Sequence, residues 1–196
     1  MNFPEIQQRL SNVKVGIAGC GGLGSNCASS LVRVGVKNLV IADFDVIVES
    51  NLNRQFFFYH QIGQKKVTTL KENLLLINPF CQIEAHDIKL TPDDICRLYY
   101  NCDIIVEAFD KSDQKKMLIE TVLSNFPEKK IIAASGLAGW GNFEKIKIQK
   151  FDSLILCGDF ESEVSDSLPP IAPRVNIVSN LQADIVLAEI LGNNAF

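Results

Sequence analysis

The sequence predicts a three-layer α/β fold whose mostly parallel sheet is extended by antiparallel strands near the C-terminus. Three observations predict it. Short apolar runs alternate with helical segments over the first two thirds of the chain, glycines cluster directly after the first run, and polar/apolar alternation begins only beyond Gly141. A chain of 196 residues suits one domain over 1–196, able to bury roughly 70% of the surface that its unfolded form exposes.

The elements follow in order. Pro4 to Leu10 fits a short helix, and Val13 to Gly19 a buried strand running into glycines. Small and apolar residues from Ser25 to Val34 suit a helix packed closely on a sheet, and Asn38 to Ala42 is a second strand, which completes a βαβ unit. Lys65 to Ile77 has helical periodicity and Gln82 to His86 is strand-like. Thr91 with Pro92 opens a helix to Tyr100. Ile104 to Glu107 is a strand, Ser112 to Ser124 a helix, and Ile131 to Ala134 the fifth strand of the parallel sheet. Phe143 to Lys150 and Ser153 to Cys157 are expected to pair antiparallel. The acidic, proline-containing segment from Gly158 to Pro173 is a loop, followed by a last helix from Arg174 to Leu191.

Composition narrows the function. The hydrophobic fraction of 47% and charged fraction of 21% are those of a globular chain. A net charge of -4 without a basic stripe argues against a nucleic-acid partner. No apolar run approaches spanning length and Met1 to Leu10 lacks a signal-peptide core, so no membrane partner and a cytoplasmic location are expected. Cys20, Cys27, Cys81, Cys96, Cys102 and Cys157 form no CxxC pair, so no zinc site is expected and the thiols are read as reduced core residues.

The chemistry starts at Gly19-Cys20-Gly21-Gly22-Leu23-Gly24. Gly19, Gly21 and Gly24 match G-x-G-x-x-G between a strand and a helix, where missing side chains let backbone N–H groups and a helix N-terminus approach phosphates. Asp43, at the end of the second strand, can accept hydrogen bonds from ribose hydroxyls, which suits NAD or ATP; Asp45 is either a turn residue or a helper. The choice falls to Asn51, Arg54 and Gln55 in ESNLNRQ and to Lys66 in GQKKV, with Lys65 the weaker of the two lysines. Hydride transfer has no need of them, whereas cations converging on a phosphate loop stabilise a triphosphate and its developing charge. Asp110 follows a buried strand at the carboxyl edge of the sheet and can hold a hard cation. Singly, Asn51 can be a turn residue, Lys66 a solvated first-turn residue and Arg54 a surface ion pair; their joint order favours a site. His60 and His86 are assigned no role. Trp140 either covers a ligand or anchors its loop.

GCGGLGS, ADFD, SNLNRQ, GQKK and EAFDKS, in that order, resemble the ThiF and MoeB adenylyltransferase family, which is related to ubiquitin-activating enzymes. The likeness spans nearly the whole chain. The ASGLAGWG stretch ending at Gly141 and Gly158-Asp159-Phe160 are similar to its short ThiF-like branch, the adenylyltransferases of the sulfur carrier protein ThiS.

The resemblance implies a Rossmann-like fold in which Gly19, Gly21, Gly22 and Gly24 cradle ATP and Asp43 holds its ribose. Asn51, Arg54, Gln55 and Lys66 would then meet the phosphates and Asp110 would bind Mg2+, with Arg54, Lys66 and Asp110 carrying the catalysis. It implies adenylylation of a ubiquitin-like sulfur carrier ending in Gly-Gly, in thiamine biosynthesis, by a homodimer. Two departures stand out. The loop after Gly158 has no cysteine for a covalent sulfur step, and the segment before the first strand lacks the family's arginine motif, Arg9 having the wrong spacing. The alternatives are an NAD-dependent oxidoreductase and a catalytically silent carrier-binding scaffold.

Overall fold

Burial on both faces explains why the central strands are nearly continuous apolar runs. In the computed structural model, which describes residues 1–192, β2 (Asn38–Asp43), β1 (Lys14–Ala18) and β4 (Ile104–Glu107) lie side by side within the sheet. The last four positions of the domain expected over 1–196 lie outside the described residues. β3 (Gln82–Asp87) covers one edge; β5 (Lys130–Ala134), β7 (Leu154–Gly158) and β6 (Lys147–Phe151) continue the other, giving the order β3-β2-β1-β4-β5-β7-β6.

The helices α2 (Gly22–Val34), α3 (Lys66–Ile77) and α6 (Ala172–Leu191) send Leu31, Leu70 and Val178 into one apolar cluster with Val15, Ile17, Leu39 and Ile41. On the other face, α4 (Pro92–Tyr99) and α5 (Ser112–Asn125) bury Ile95, Tyr99 and Leu118 against Val40, Ala42 and Ile105. The result is helix, sheet, helix. The short α1 (Phe3–Leu10) packs beside α2 and α6, its first turn closed by Asn2 and Glu5 bonding each other's backbone N–H. α4 starts as its Thr91-Pro92 pair predicts, with the Thr91 hydroxyl accepting from Asp94 N.

The sheet departs from expectation at two points: Phe143–Lys145, expected to open a strand, is a 3-10 turn and the strand starts at Lys147, and the strand after it has an unexpected second neighbour. Residues 154–158 do pair antiparallel with β6, but on their other side they lie parallel to β5, so six strands are parallel rather than five. The reason is the return path. The chain leaves β5, forms a 3-10 turn at Phe143–Lys145, runs out as the exposed edge strand β6, and reverses at Asp152 to insert the apolar LILCG between β6 and β5. Alternation distinguishes the edge strand from the buried one but carries no information about which neighbour the buried strand meets.

From β1 the chain passes to β2 on one side, and β4 lies on the other. The crevice beyond the carboxyl ends of β1 and β4 is therefore the topological switch point at which an open α/β sheet takes its ligand.

Candidate active site

The floor of the crevice is main chain. Gly19 follows β1 with φ near +100°, and a Cβ there would lie 2.7 Å from the Ala108 carbonyl oxygen. Gly24 sits in the first turn of α2, where a Cβ would lie 1.9 Å from the Gly19 oxygen, so the loop can close only on glycine. Gly21 precedes α2 without a side-chain cap, which leaves first-turn N–H groups open to an anion.

Asp43 ends β2 beside this loop. One carboxylate oxygen accepts from Cys20 N at 2.6 Å and the other from Asp45 N at 2.8 Å, leaving lone pairs for hydroxyl donors. Burial pushes its carboxyl above the usual range, against the pull of the two amides and of Lys66.

The segment 48–56 is fastened over the loop by α2. Ser25 Oγ donates to the Gly21 oxygen at 2.6 Å and accepts from Phe56 N at 3.0 Å, while Asn26 Nδ2 donates to the carbonyls of Gly22 and Arg54 at 2.7 and 2.8 Å. Sequence reasoning missed both residues, whose only signal is polarity on the buried side of a helix start. Asn51 is buried in a 3-10 turn, its carboxamide accepting from Val48 N at 3.1 Å, so it does hold a turn. The Arg54 stem lies over Gly22, and its guanidinium donates to the Ser50 carbonyl and the Asn53 carboxamide, not to a carboxylate as in a surface ion pair. Burial lowers its affinity for the proton, and the charge of Asp110 opposes that. Gln55 is buried against Gly21, and among the described residues its Oε1 has no partner: a polar atom that a ligand can satisfy.

Lys66 opens α3 and is 6% exposed; Nζ lies 2.8 Å from Asp45 Oδ2, so the lysine is a buried cation rather than a solvated one. Asp45 thereby acts as its counter-ion. Lys65 is spent elsewhere, 3.1 Å from Asp87. Asp110 is exposed, and among the described residues its side chain makes no hydrogen bond or ion pair. Just before it, the fully buried Glu107 accepts from Phe109 N at 2.7 Å and pairs with Lys115, bracing the turn that presents Asp110. The sequence signal for this pair was a single carboxylate inside an apolar strand.

Among the described residues no three His, Cys, Asp or Glu side chains are grouped to hold a metal. Cys157 is buried below the sheet's carboxyl edge, and burial pushes its thiol up to about 12, so it is not a thiolate at neutral pH. His60 stacks on Phe58, and Trp140 is 69% exposed on its loop. No helix of the described residues is long and apolar enough to cross a membrane.

The profile of the ThiF family matches residues 2–195. The chain is 30% identical over 187 residues, 95% of its length, to the adenylyltransferase and sulfurtransferase UBA4 of Eremothecium gossypii, of which the match covers 40%. It is 33% identical to ubiquitin-like modifier-activating enzyme 5 of Caenorhabditis elegans over 63% of this chain and 28% of that protein. The chain thus spans well under half the length of these curated relatives. Its fold superposes on Escherichia coli tRNA N6-threonylcarbamoyladenosine dehydratase, TcdA, solved with AMP, with a TM-score of 0.86 at 18% identity, covering 95% of this chain and 89% of that one. Escherichia coli MccB solved with ATP gives 0.67 at 26% identity, covering 94% and 57%.

Proposed function

We propose that this chain, which belongs to the ThiF family, uses ATP to adenylylate the C-terminal carboxylate of a small ubiquitin-like carrier protein and releases pyrophosphate. One observation carries the reading. The Arg54 stem lies over Gly22 of the glycine loop, Asp43 is bonded to the loop amide of Cys20, and the buried Lys66 is tied to Asp43 through Asp45, all at the switch point where Asp110 follows β4. The adenylyltransferase names of the relatives and the ATP and AMP bound to the structural neighbours support it.

In this reading Asp43 accepts from the ribose hydroxyls, and the glycine loop with the α2 N-terminus receives phosphate oxygens. Gln55 Oε1 gains the partner that it lacks. Lys66 and Arg54 balance the charge that grows on the phosphates as the incoming carboxylate attacks the α-phosphorus in line and pyrophosphate leaves. Mg2+ fits Asp110, since that ion characteristically takes one or two carboxylates plus phosphate oxygens, and it would add neutralising charge there. Positioning and charge account for the step; no protein nucleophile is needed. The carrier is proposed to end in Gly-Gly, with a ThiS-like sulfur carrier of thiamine biosynthesis as the first candidate and a cytoplasmic homodimer as the working form.

The test is carrier-dependent exchange of labelled pyrophosphate into ATP across a panel of carriers ending in Gly-Gly. Exchange with at least one is expected, and none with any would overturn the reading. Thermal shifts with ATP-magnesium but not with NAD separate it from an oxidoreductase. Lys66→Ala should lower exchange on the order of a hundredfold or more; an unchanged rate removes Lys66 from the mechanism.

A further inference from the structure

The carboxyl ends of β5 and β7 carry two loops, 135–146 and 159–171, that are laced to one another at a buried ion pair. Arg174, in the first turn of α6 and 5% exposed, reaches Asp159 Oδ2 at 3.5 Å and donates to the carbonyl of Gly141. Asp159 also accepts from Glu161 N and Ser162 N at 3.0 and 2.8 Å and from the Ser162 hydroxyl at 2.7 Å, and that hydroxyl accepts from Ala138 N at 3.1 Å. Gly136, at φ near +78°, leaves room for the carboxylate, since a Cβ there would lie 2.0 Å from Asp159 Oδ1.

The same assembly continues into the nucleotide side. Ala172 N donates to the Asn53 carbonyl at 3.1 Å, and Val175 packs so closely on the glycine loop that a Cβ on Gly22 would lie 2.9 Å from it. Arg174 therefore joins the loop carrying the exposed Trp140 to the helix that abuts Asn53 and Gly22. Asp110 follows β4, and in the strand order β5 and β7 lie next to β4 on the side away from β1 and β2, so the 136–141 loop is the next wall beyond Asp110 when Asp43 and the glycine loop take the nucleotide.

We propose that Asp159 and Arg174 are positioning residues that hold the 136–141 loop as the wall along which the acceptor's carboxyl-terminal tail reaches the α-phosphorus, an inference that rests on the adenylylation reading. The pair touches neither nucleotide nor carboxylate. Its loss loosens the wall and leaves the backbone-built phosphate cradle in place.

The experiment compares the native protein with Asp159→Asn, and with Ser162→Ala in case the first variant folds poorly. It uses pyrophosphate exchange at varied ATP and at varied concentrations of the Gly-Gly carrier that the native protein accepts. The expected result is a KM for the carrier raised tenfold or more in Asp159→Asn, less in Ser162→Ala, with the KM for ATP within twofold of native. Acrylamide quenching of Trp140, the one tryptophan of the chain, should rise in step. A purely structural role would move both KM values together with the melting temperature, and that outcome, or an unchanged carrier KM, overturns the proposal. Absence of exchange by the native protein with every carrier instead overturns the adenylylation reading and the acceptor role with it.

Discussion

The two halves of the sheet's carboxyl edge are built by different means. At β1 and β2 the crevice is lined by backbone: glycines that tolerate carbonyls at 1.9 to 2.7 Å from where a Cβ would stand, open N–H groups at a helix start, and a carboxylate fixed by two amides. At β5 and β7 the loops are held by side chains, above all Arg174 and Asp159. A main-chain cradle is rigid and indifferent to most of what it holds. A side-chain strut can be retuned by one substitution, and it stands on the side where an acceptor would be chosen.

The largest expected effect breaks the strut. Arg174→Met leaves Asp159 buried without its cation and should cost about 3 kcal/mol in urea unfolding, while ATP still raises the melting temperature of the folded fraction. A loss below about 0.5 kcal/mol would show the pair to be dispensable.

Next comes the cradle. Gly24→Ala forces a methyl group against the Gly19 carbonyl and should cost about 1 to 3 kcal/mol, with the ATP-induced thermal shift abolished. Retention of that shift would mean that the loop has more slack than its contacts imply.

The smallest effects come from pH and carry opposite signs in the two halves. Burial alone would push the Asp159 carboxyl up, but the amides of Ser162 and Glu161, the Ser162 hydroxyl and Arg174 outweigh it and hold the carboxyl below the usual range. Its stabilisation is therefore complete above the unfolded value of about 3.9 and is lost as pH falls through the lower folded value. Asp43 is raised instead, so the folded state takes up its proton above the ordinary carboxylate range, and the preference of the folded state for that proton is lost as pH rises through the raised value. On acidification, ATP binding should weaken before the strut is lost. Thermal melts with and without ATP between about pH 3 and 7 read both; simultaneous loss would contradict the assignment.

Most of the helices and strands were legible in the sequence because each rule is local. The apolar runs became β1, β2, β4 and β5 within about two residues of their expected ends. The side-chain contacts of the site were less legible. Nothing in GDFESE announces that Asp159 meets an arginine fifteen residues on, and nothing in GSN that Ser25 and Asn26 tie down the segment bearing Arg54. Sequence alone leaves Asp45 between turn residue and helper; the 2.8 Å contact makes it the counter-ion of Lys66.

By itself the sequence determined the alternation of strand and helix, the glycine loop and the order of its charged companions. Each of these rests on backbone sterics or short-range periodicity, which neighbouring residues impose on one another. Only the tertiary structure decided that β7 runs parallel to β5, that Lys66 is buried with Asp45, and that Arg174 bridges two loops. Those outcomes depend on which surfaces meet once the sheet has closed, and an ion pair far apart in the chain leaves no periodic trace along it.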